Sequence, residues 1–130
     1  MNVMLIHADQ DFLGATADAL LMQGVACDTF SSGNAALDVL RRRQDSYTMV
    51  IVDYMLGDVD GFRFALRVHA LDAGIRVIVL SGNMMGEYQR DILRCKGMFI
   101  LYRPLNMEML SMILDKTKCR CMAERGSKRI

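Results

Sequence analysis

Polar residues follow several apolar runs of this sequence, and their types suit the handling of a phosphoryl group. Asp53 comes directly after Met49–Val52, and Ser81, Arg103 and His7 each stand at the end of another apolar run. A carboxylate can accept a phosphoryl group as a covalent nucleophile, while a hydroxyl and a cation can bind its oxygens. An aspartate at a strand end is more often a turn former, so this interpretation depends on these residues lying together.

The apolar runs alternate with segments of helical periodicity, which predicts five strands that are each followed by a helix. Apolar residues recur on one helix face from Phe12 to Leu21 and again from Met109 to Leu114. The predicted strands are NVMLIH, VACDTF, YTMVIVD, IRVIVLS and MFILY. The predicted helices lie in DFLGATADALLMQG, GNAALDVLRRR, DGFRFALRVHALDAG, MMGEYQRDILRCKG and NMEMLSMILDKTKCRCM.

The strands indicate a parallel sheet that is covered by helices on both faces. MVIVD and RVIVL are apolar without alternation, as expected of central strands. Parallel strands need crossover connections, which are right-handed. Gly24, Gly74 and Gly97 fall where three helices should end. We therefore expect an α/β fold with a doubly wound parallel sheet, in which ligands bind beyond the carboxyl ends of the strands.

The composition is that of a soluble globular protein. The chain has 130 residues, of which 52% are hydrophobic and 24% charged. No apolar run approaches the ~20 residues of a membrane helix, and the N-terminus lacks a basic leader with a cleavage site. We therefore expect a cytoplasmic protein without membrane contact. The four cysteines do not have the spacing of a zinc site.

Charge divides the chain into two parts. Residues 1–115 contain ten Lys/Arg and fourteen Asp/Glu, whereas residues 116–130 contain six Lys/Arg and one Glu. We expect one domain over residues 1–117, followed by a basic C-terminal tail or the start of a linker over residues 118–130. Nothing after residue 117 is long enough for a helix-turn-helix, so nucleic-acid binding through this domain is not expected.

Three segments resemble motifs of bacterial response-regulator receiver domains. VIVDYMLGDVDGF resembles their phosphoacceptor segment, VIVLSG is similar to their fourth strand, and RCKGMFILYRPLN is similar to their fifth. The order and spacing match over about residues 2–117. The resemblance implies a flavodoxin-like (βα)5 fold with strand order 2-1-3-4-5. It also implies two-component phosphorelay signalling, with no enzymatic activity beyond phosphoryl transfer to and from the domain's own aspartate.

The resemblance implies a role for each strand-end residue. Asp53 would accept a phosphoryl group from a histidine kinase or phosphotransfer protein, and Ser81 and Arg103 would bind its oxygens; the family has lysine at the latter position. Mg²⁺ would bind Asp53 and the backbone carbonyl of Met55. A downstream protein target or effector domain would respond to the state of the site.

The first strand departs from the family at the metal site. His7 and Ala8 occupy the positions of the family's acidic pair. Ala8 has no ligand atom, and His7 suits Mg²⁺ poorly because this ion prefers oxygen ligands. Asp9 is expected to cap the first helix and is a weak candidate ligand. We therefore expect weak Mg²⁺ binding; His7 is either a hydrogen-bonded polar residue or a ligand, with Asp53 or Asp9, for a softer metal.

These residues leave two functions open within the fold. Asp53 either accepts a phosphoryl group or pairs with Arg103, which would hold a phosphorylation-independent pseudo-receiver in one state. A small flavodoxin-like enzyme is a distant alternative, since HADQDFLG contains no glycine-rich phosphate loop. The family usually meets partners through its fourth helix, fifth strand and fifth helix, and a homodimer could form there. Residues of that region suited to contacts are Met84, Met85, Tyr88, Tyr102, Met107 and Met112.

Overall fold

A computed structural model describes residues 2–43, 46–82 and 85–116. Strands and helices alternate along them, as the sequence predicts. The elements are β1 Asn2–Ile6, α1 Gln10–Met22, β2 Ala26–Phe30, α2 Gly33–Arg42, β3 Met49–Asp53, α3 Gly61–Leu71, β4 Arg76–Ser81, α4 Glu87–Cys95 and β5 Phe99–Tyr102. A fifth helix, α5, is described over residues 107–116.

The five strands form one parallel sheet in the order β2-β1-β3-β4-β5, which confirms the predicted fold. β3 lies at the centre, and all five of its residues are buried. In the register with β4, Asp53 is opposite Leu80. Because parallel strands end at the same edge of the sheet, this register brings the polar strand ends together.

Helices cover both faces of the sheet, and alternate residues of each strand face opposite layers. Met4, Ile6, Val50 and Val52 pack with buried residues of α2, α3 and α4. Val3, Leu5, Met49 and Ile51 pack with buried residues of α1 and α5. Double coverage explains why the central strands are apolar without alternation.

Three residues correct the expected apolar faces. Leu21 is 66% exposed and Met109 is 50% exposed, although helical periodicity placed both with the buried residues of their helices. Met85 is instead 1% exposed, so it belongs to the core and not to a contact surface. For Leu21 and Met109 the reason is that the buried arc of a helix is only as wide as the contact it makes. Met85 lies before α4 and packs into the core with residues of the sheet and of neighbouring helices.

The predicted helix ends are confirmed at two glycines. Gly24 and Gly97 have φ of 77° and 78°, a left-handed conformation that glycine adopts without steric cost. Gly74 follows α3 without a positive φ, and its amide donates to the Asp72 carboxylate. The Arg103–Pro104 peptide bond is cis.

The structure does not test the expected C-terminal tail. The basic tail, residues 118–130, lies outside the described residues, and the domain boundary at residue 117 stays a prediction. Among the helices of the described ranges, none has the length and apolar character needed to cross a membrane.

Candidate functional site

Asp53 ends the central strand β3, and its side chain is 2% exposed. The pairing with β4 continues one residue further, since the Tyr54 amide donates to the Leu80 carbonyl at 2.8 Å, and the chain bends at Tyr54. Gly61, the first residue of α3, lies against this turn; a Cβ there would come within 2.6 Å of the Asp53 carbonyl oxygen. The sequence therefore places a carboxylate at a buried strand end on a closely packed backbone.

Two basic side chains flank the Asp53 carboxylate, one on each oxygen. Arg103 Nη2 lies 3.1 Å from Oδ1, and His7 Nε2 lies 3.7 Å from Oδ2. Oδ1 nevertheless receives no hydrogen bond of good geometry within the described residues, so its contact with Arg103 is ionic. Burial raises the pKa of Asp53, while the basic groups of His7 and Arg103 and the backbone amides of Met55 and Tyr54 oppose that rise.

His7 is held in place by three contacts. Its Nδ1 accepts a hydrogen bond from the Asp9 amide at 3.0 Å. Its ring stacks on Phe12 of α1, with ring centroids 4.1 Å apart and planes inclined by 25°. The third contact is the one with Asp53. The His7 side chain is only 13% exposed, and burial lowers its pKa.

The expected magnesium site has His7 and Ala8, and not an acidic pair, beside Asp53. Ala8 is exposed and contributes only a methyl group, and Asp9 is the N-cap of α1, as predicted, where its side chain accepts from the Asp11 amide. No group of three or more His, Cys, Asp or Glu side chains within the described ranges is arranged to hold a metal ion. A basic group on each side of Asp53 further disfavours a cation, so the residues present do not fit Mg²⁺.

Ser81 and Arg103 meet through the backbone at the neighbouring strand ends. The Arg103 amide donates to the Ser81 carbonyl at 3.0 Å. The Ser81 hydroxyl is buried and donates to the Gly82 carbonyl at 2.8 Å, so it serves as a strand-end cap. The Arg103 side chain is 41% exposed, and it reaches Asp53 from the solvent side. The structure thus brings Asp53, His7 and Arg103 into contact and leaves the Ser81 hydroxyl bonded to its neighbour.

Asp58 is a residue that the sequence reasoning missed. It lies on the loop between β3 and α3, and its carboxylate accepts hydrogen bonds from the Ser32 hydroxyl and from the amides of Gly33 and Asn34, at 2.7–3.1 Å. These donors lie at the N-terminus of α2, where free amides favour a negative charge. They lower the pKa of Asp58 to about 2. The sequence around Asp58 indicates only an aspartate in a turn, because the residues that donate to it are more than twenty positions away along the chain.

Two further hydrogen bonds connect the site with α4. The Tyr54 hydroxyl donates to Gln89 at 3.2 Å, and Arg90 donates to the Tyr102 hydroxyl at 3.3 Å. Arg90 also donates to the Met85 carbonyl at 2.8 Å. The first turn of α4 is therefore attached both to the loop after Asp53 and to the end of β5.

Several side chains of the expected contact face are exposed, although their role in contacts stays a prediction. Tyr88, Tyr102 and Met112 are exposed, at 78%, 45% and 62%. Met107 is half-buried. Met84 lies outside the described residues. Beside these side chains, Met109 and Met112 of α5 line an apolar groove along the edge strand β5.

A doubly wound sheet of order 2-1-3-4-5 with a buried aspartate at the end of its third strand defines a flavodoxin-like α/β domain. The response regulator receiver domain family matches residues 3–115 of this chain. The chain belongs to that family.

Sequence relatives and solved structures agree with this assignment. The chain is 30% identical over 118 residues to the two-component response regulator ORR24 of Oryza sativa subsp. japonica, an alignment covering 87% of this chain and 18% of that protein. It spans no more than about a quarter of the length of the curated relatives compared.

Two solved structures share the fold. A response regulator receiver domain protein from Clostridium thermocellum superposes with a TM-score of 0.81 at 21% identity, covering 94% of this chain and 97% of the other. The beryllofluoride-activated NtrC4 receiver domain dimer superposes with a TM-score of 0.78 at 16% identity, covering 89% of this chain and 94% of that one.

Proposed function

We propose that this chain receives signals in a two-component pathway as a phosphorylation-independent receiver module that works through protein contacts. The observation that carries the proposal is the imidazole of His7, 3.7 Å from Asp53, together with Ala8 where a second acid would be needed. Phosphoryl transfer depends largely on positioning and on charge neutralisation by metal ions. With His7 and Ala8 in place of an acidic pair, the site therefore lacks the main source of acceleration.

The Asp53–Arg103 pair supports a single resting state for such a module. The carboxylate is almost fully buried, whereas the guanidinium is 41% exposed. Removing the cation would leave a buried carboxylate with less charge compensation, which is costly. Arg103 therefore covers the Asp53 carboxylate on its solvent side. Partners would bind the surface that this single conformation presents.

Slow phosphorylation of Asp53 is a second candidate function, and one observation favours it. Oδ1 of Asp53 is buried beside Arg103 without a hydrogen bond of good geometry within the described residues, so movement of Arg103 would leave a lone pair for attack on phosphorus. With His7 and Ala8 in place of two acids, less negative charge would repel the incoming phosphoryl group. His7 and Arg103 would then share the neutralisation that Mg²⁺ supplies elsewhere in the family.

Treatment with acetyl phosphate, with and without Mg²⁺, separates these two functions. The full chain would be incubated and the intact protein weighed by mass spectrometry. The phosphorylation-independent module predicts no mass gain in either condition. A slow gain without Mg²⁺ that Asp53→Asn abolishes would establish the second candidate.

The matched control is Asp58→Asn, which alters an aspartate on the same loop and should leave the result unchanged. A rapid, Mg²⁺-dependent gain on Asp53 would contradict the phosphorylation-independent function. It would also contradict the weak Mg²⁺ binding that we propose.

We further propose that the chain is cytoplasmic and has no catalytic turnover of external substrates. Its upstream partner would be a histidine kinase or phosphotransfer protein, and its downstream partner a protein target or effector domain. Homodimers would form through the exposed face of α4, β5 and α5. Sedimentation equilibrium tests the dimer: Met112→Lys should weaken association, whereas Met22→Lys, at a site that is 90% exposed on α1, should not.

A further inference from the structure

The hydrogen bond between His7 and Asp9 fixes the position of the imidazole proton. Nδ1 of His7 accepts the Asp9 amide proton at 3.0 Å, and a ring nitrogen that accepts a hydrogen bond carries no proton. In the neutral ring the proton therefore lies on Nε2. That nitrogen faces Oδ2 of Asp53 at 3.7 Å, so a polar N–H group lies opposite the buried carboxylate.

The surroundings of His7 prevent the ring from turning over. The Asp9 carbonyl accepts from Leu13 within α1, so the amide that His7 binds belongs to an ordered helix start. The ring also stacks on Phe12 of the same helix. A half-turn of the imidazole would break the bond to Asp9 and would turn the Nε2–H away from Asp53.

We propose that His7 is a positioning residue, a fixed Nε2–H group that orients Asp53 toward Arg103 and connects this carboxylate to the first turn of α1. The inference rests on the proposed function, because it explains what takes the place of the metal. The N–H group presents positive polarity where a metal ion would need a ligand lone pair. His7 therefore both orients the carboxylate and excludes a divalent cation from this side.

The connection predicts that a change at Asp53 reaches α1 through the ring. Its two nitrogens contact different partners, Asp53 on one side and the Asp9 amide on the other. Withdrawing the carboxylate charge alters the polarisation of the Nε2–H bond and with it the strength of Nδ1 as an acceptor. The Asp9 amide should respond, although it lies in another element of the fold.

Long-range ¹H–¹⁵N NMR of the uniformly labelled full chain tests the inference directly. At neutral pH we expect His7 to show a protonated Nε2 and an unprotonated Nδ1. His69 is the only other histidine of the sequence and serves as an internal reference. A proton on Nδ1 of His7 would overturn the inference, whatever acetyl phosphate shows. Conversely, a Mg²⁺-dependent mass gain would contradict the proposed function and leave the tautomer measurement standing.

Variants test the two contacts separately. Asp53→Asn should shift the resonances of His7 Nε2 and of the Asp9 amide, while Asp58→Asn should leave both unchanged. His7→Gln retains a donor near the Nε2 position and should preserve the Asp53 Cγ resonance. His7→Asn retains an acceptor near Nδ1 and should preserve only the Asp9 amide resonance. Two results would overturn the positioning role. One is an unchanged His7 Nε2 resonance in Asp53→Asn. The other is that His7→Gln and His7→Asn change the Asp53 Cγ and Asp9 amide resonances in the same way.

Restoring the acids tests the exclusion of the cation. The double variant His7→Asp/Ala8→Asp should bind Mg²⁺ at least tenfold more tightly than the original chain in titration calorimetry. Ala8→Asp alone should gain less, because His7 still faces the carboxylate. Equal gains in both variants would show that His7 does not exclude the ion.

Discussion

Asp53 and Asp58 lie five residues apart around the same loop and have opposite environments. Asp53 is buried, and one of its oxygens receives no hydrogen bond within the described residues. Asp58 is exposed, yet four donors, counting the Val59 amide, surround its carboxylate at 2.7–3.1 Å. Burial raises the pKa of Asp53, whereas hydrogen bonds lower that of Asp58 to about 2.

The difference separates a structural carboxylate from a candidate functional one. Hydrogen bonds to an ionised group stabilise its charged form, so Asp58 fastens the loop to the start of α2. Asp53 instead lies buried between two basic groups, Arg103 at 3.1 Å and His7 at 3.7 Å, and a buried carboxylate with a raised pKa is a candidate for chemistry. The loop from β3 to α3 accommodates both environments, because it is anchored by the strand at Asp53 and by the start of α3 at Gly61.

The largest expected effect comes from Gly61→Ala, which acts on the backbone that both aspartates share. The added Cβ would approach the Asp53 carbonyl oxygen and Tyr54 Cα to 2.6 Å, and neither is the end of a flexible side chain. We expect a loss of about 3 kcal/mol in the free energy of unfolding, measured by urea denaturation.

Gly57→Ala is the matched control on the same loop. Its Cβ would meet nothing within 4 Å and its φ is not positive, so stability should change by less than about 1 kcal/mol. Equal losses in the two variants would show that the contact at Gly61 is not what holds the loop.

Asp58→Ala should cost about 1–2 kcal/mol, the range for loss of a capping carboxylate, because it frees two amides of α2 and the Ser32 hydroxyl. Thermal or urea denaturation measures this loss. Asp38→Ala supplies the comparison, since Asp38 forms only an exposed pair with Arg41 and should contribute less than about 0.5 kcal/mol. If Asp58→Ala lost no more unfolding free energy than Asp38→Ala, the structural role of Asp58 would be contradicted.

Acid should weaken the Asp58 contact only below about pH 4, whereas Asp53 takes up its proton at a higher pH because burial raises its pKa. A folded pKa of about 2, below the ordinary value of 3.8, contributes stability that is present above pH 3.8 and is lost as the pH falls toward 2. Denaturation at pH 5, 3 and 2 measures this slope. Asp58→Asn should flatten it between pH 4 and 2, whereas Asp53→Asn should not, because burial moves the pKa of Asp53 upward.

The smallest effect, with the opposite sign, is expected for Asp53→Asn. The amide has the size of the carboxylate but carries no charge that burial penalises, and the lost partner Arg103 is partly solvated. We expect unchanged stability or a gain of up to about 1 kcal/mol in urea denaturation. A loss as large as that of Asp58→Ala would mean that both carboxylates are structural.

The sequence alone determined the layout of the fold and the chemistry that stands at the strand ends. Unalternated apolar runs such as MVIVD require coverage on both faces, and the order of strands and helices then leaves few topologies. Asp53, Ser81 and Arg103 follow from this layout because parallel strands end at one edge. The missing acids at His7 and Ala8 were equally visible, since side-chain type needs no coordinates.

Tertiary structure decided how these residues are used. Only packing turns the Ser81 hydroxyl to the Gly82 carbonyl, directs Nδ1 of His7 to the Asp9 amide and buries Met85. Only the course of the chain brings Asp58 to amides more than twenty residues away. Periodicity records the local conformation of a segment, whereas such contacts depend on where separate elements meet, and no short stretch of sequence contains that information.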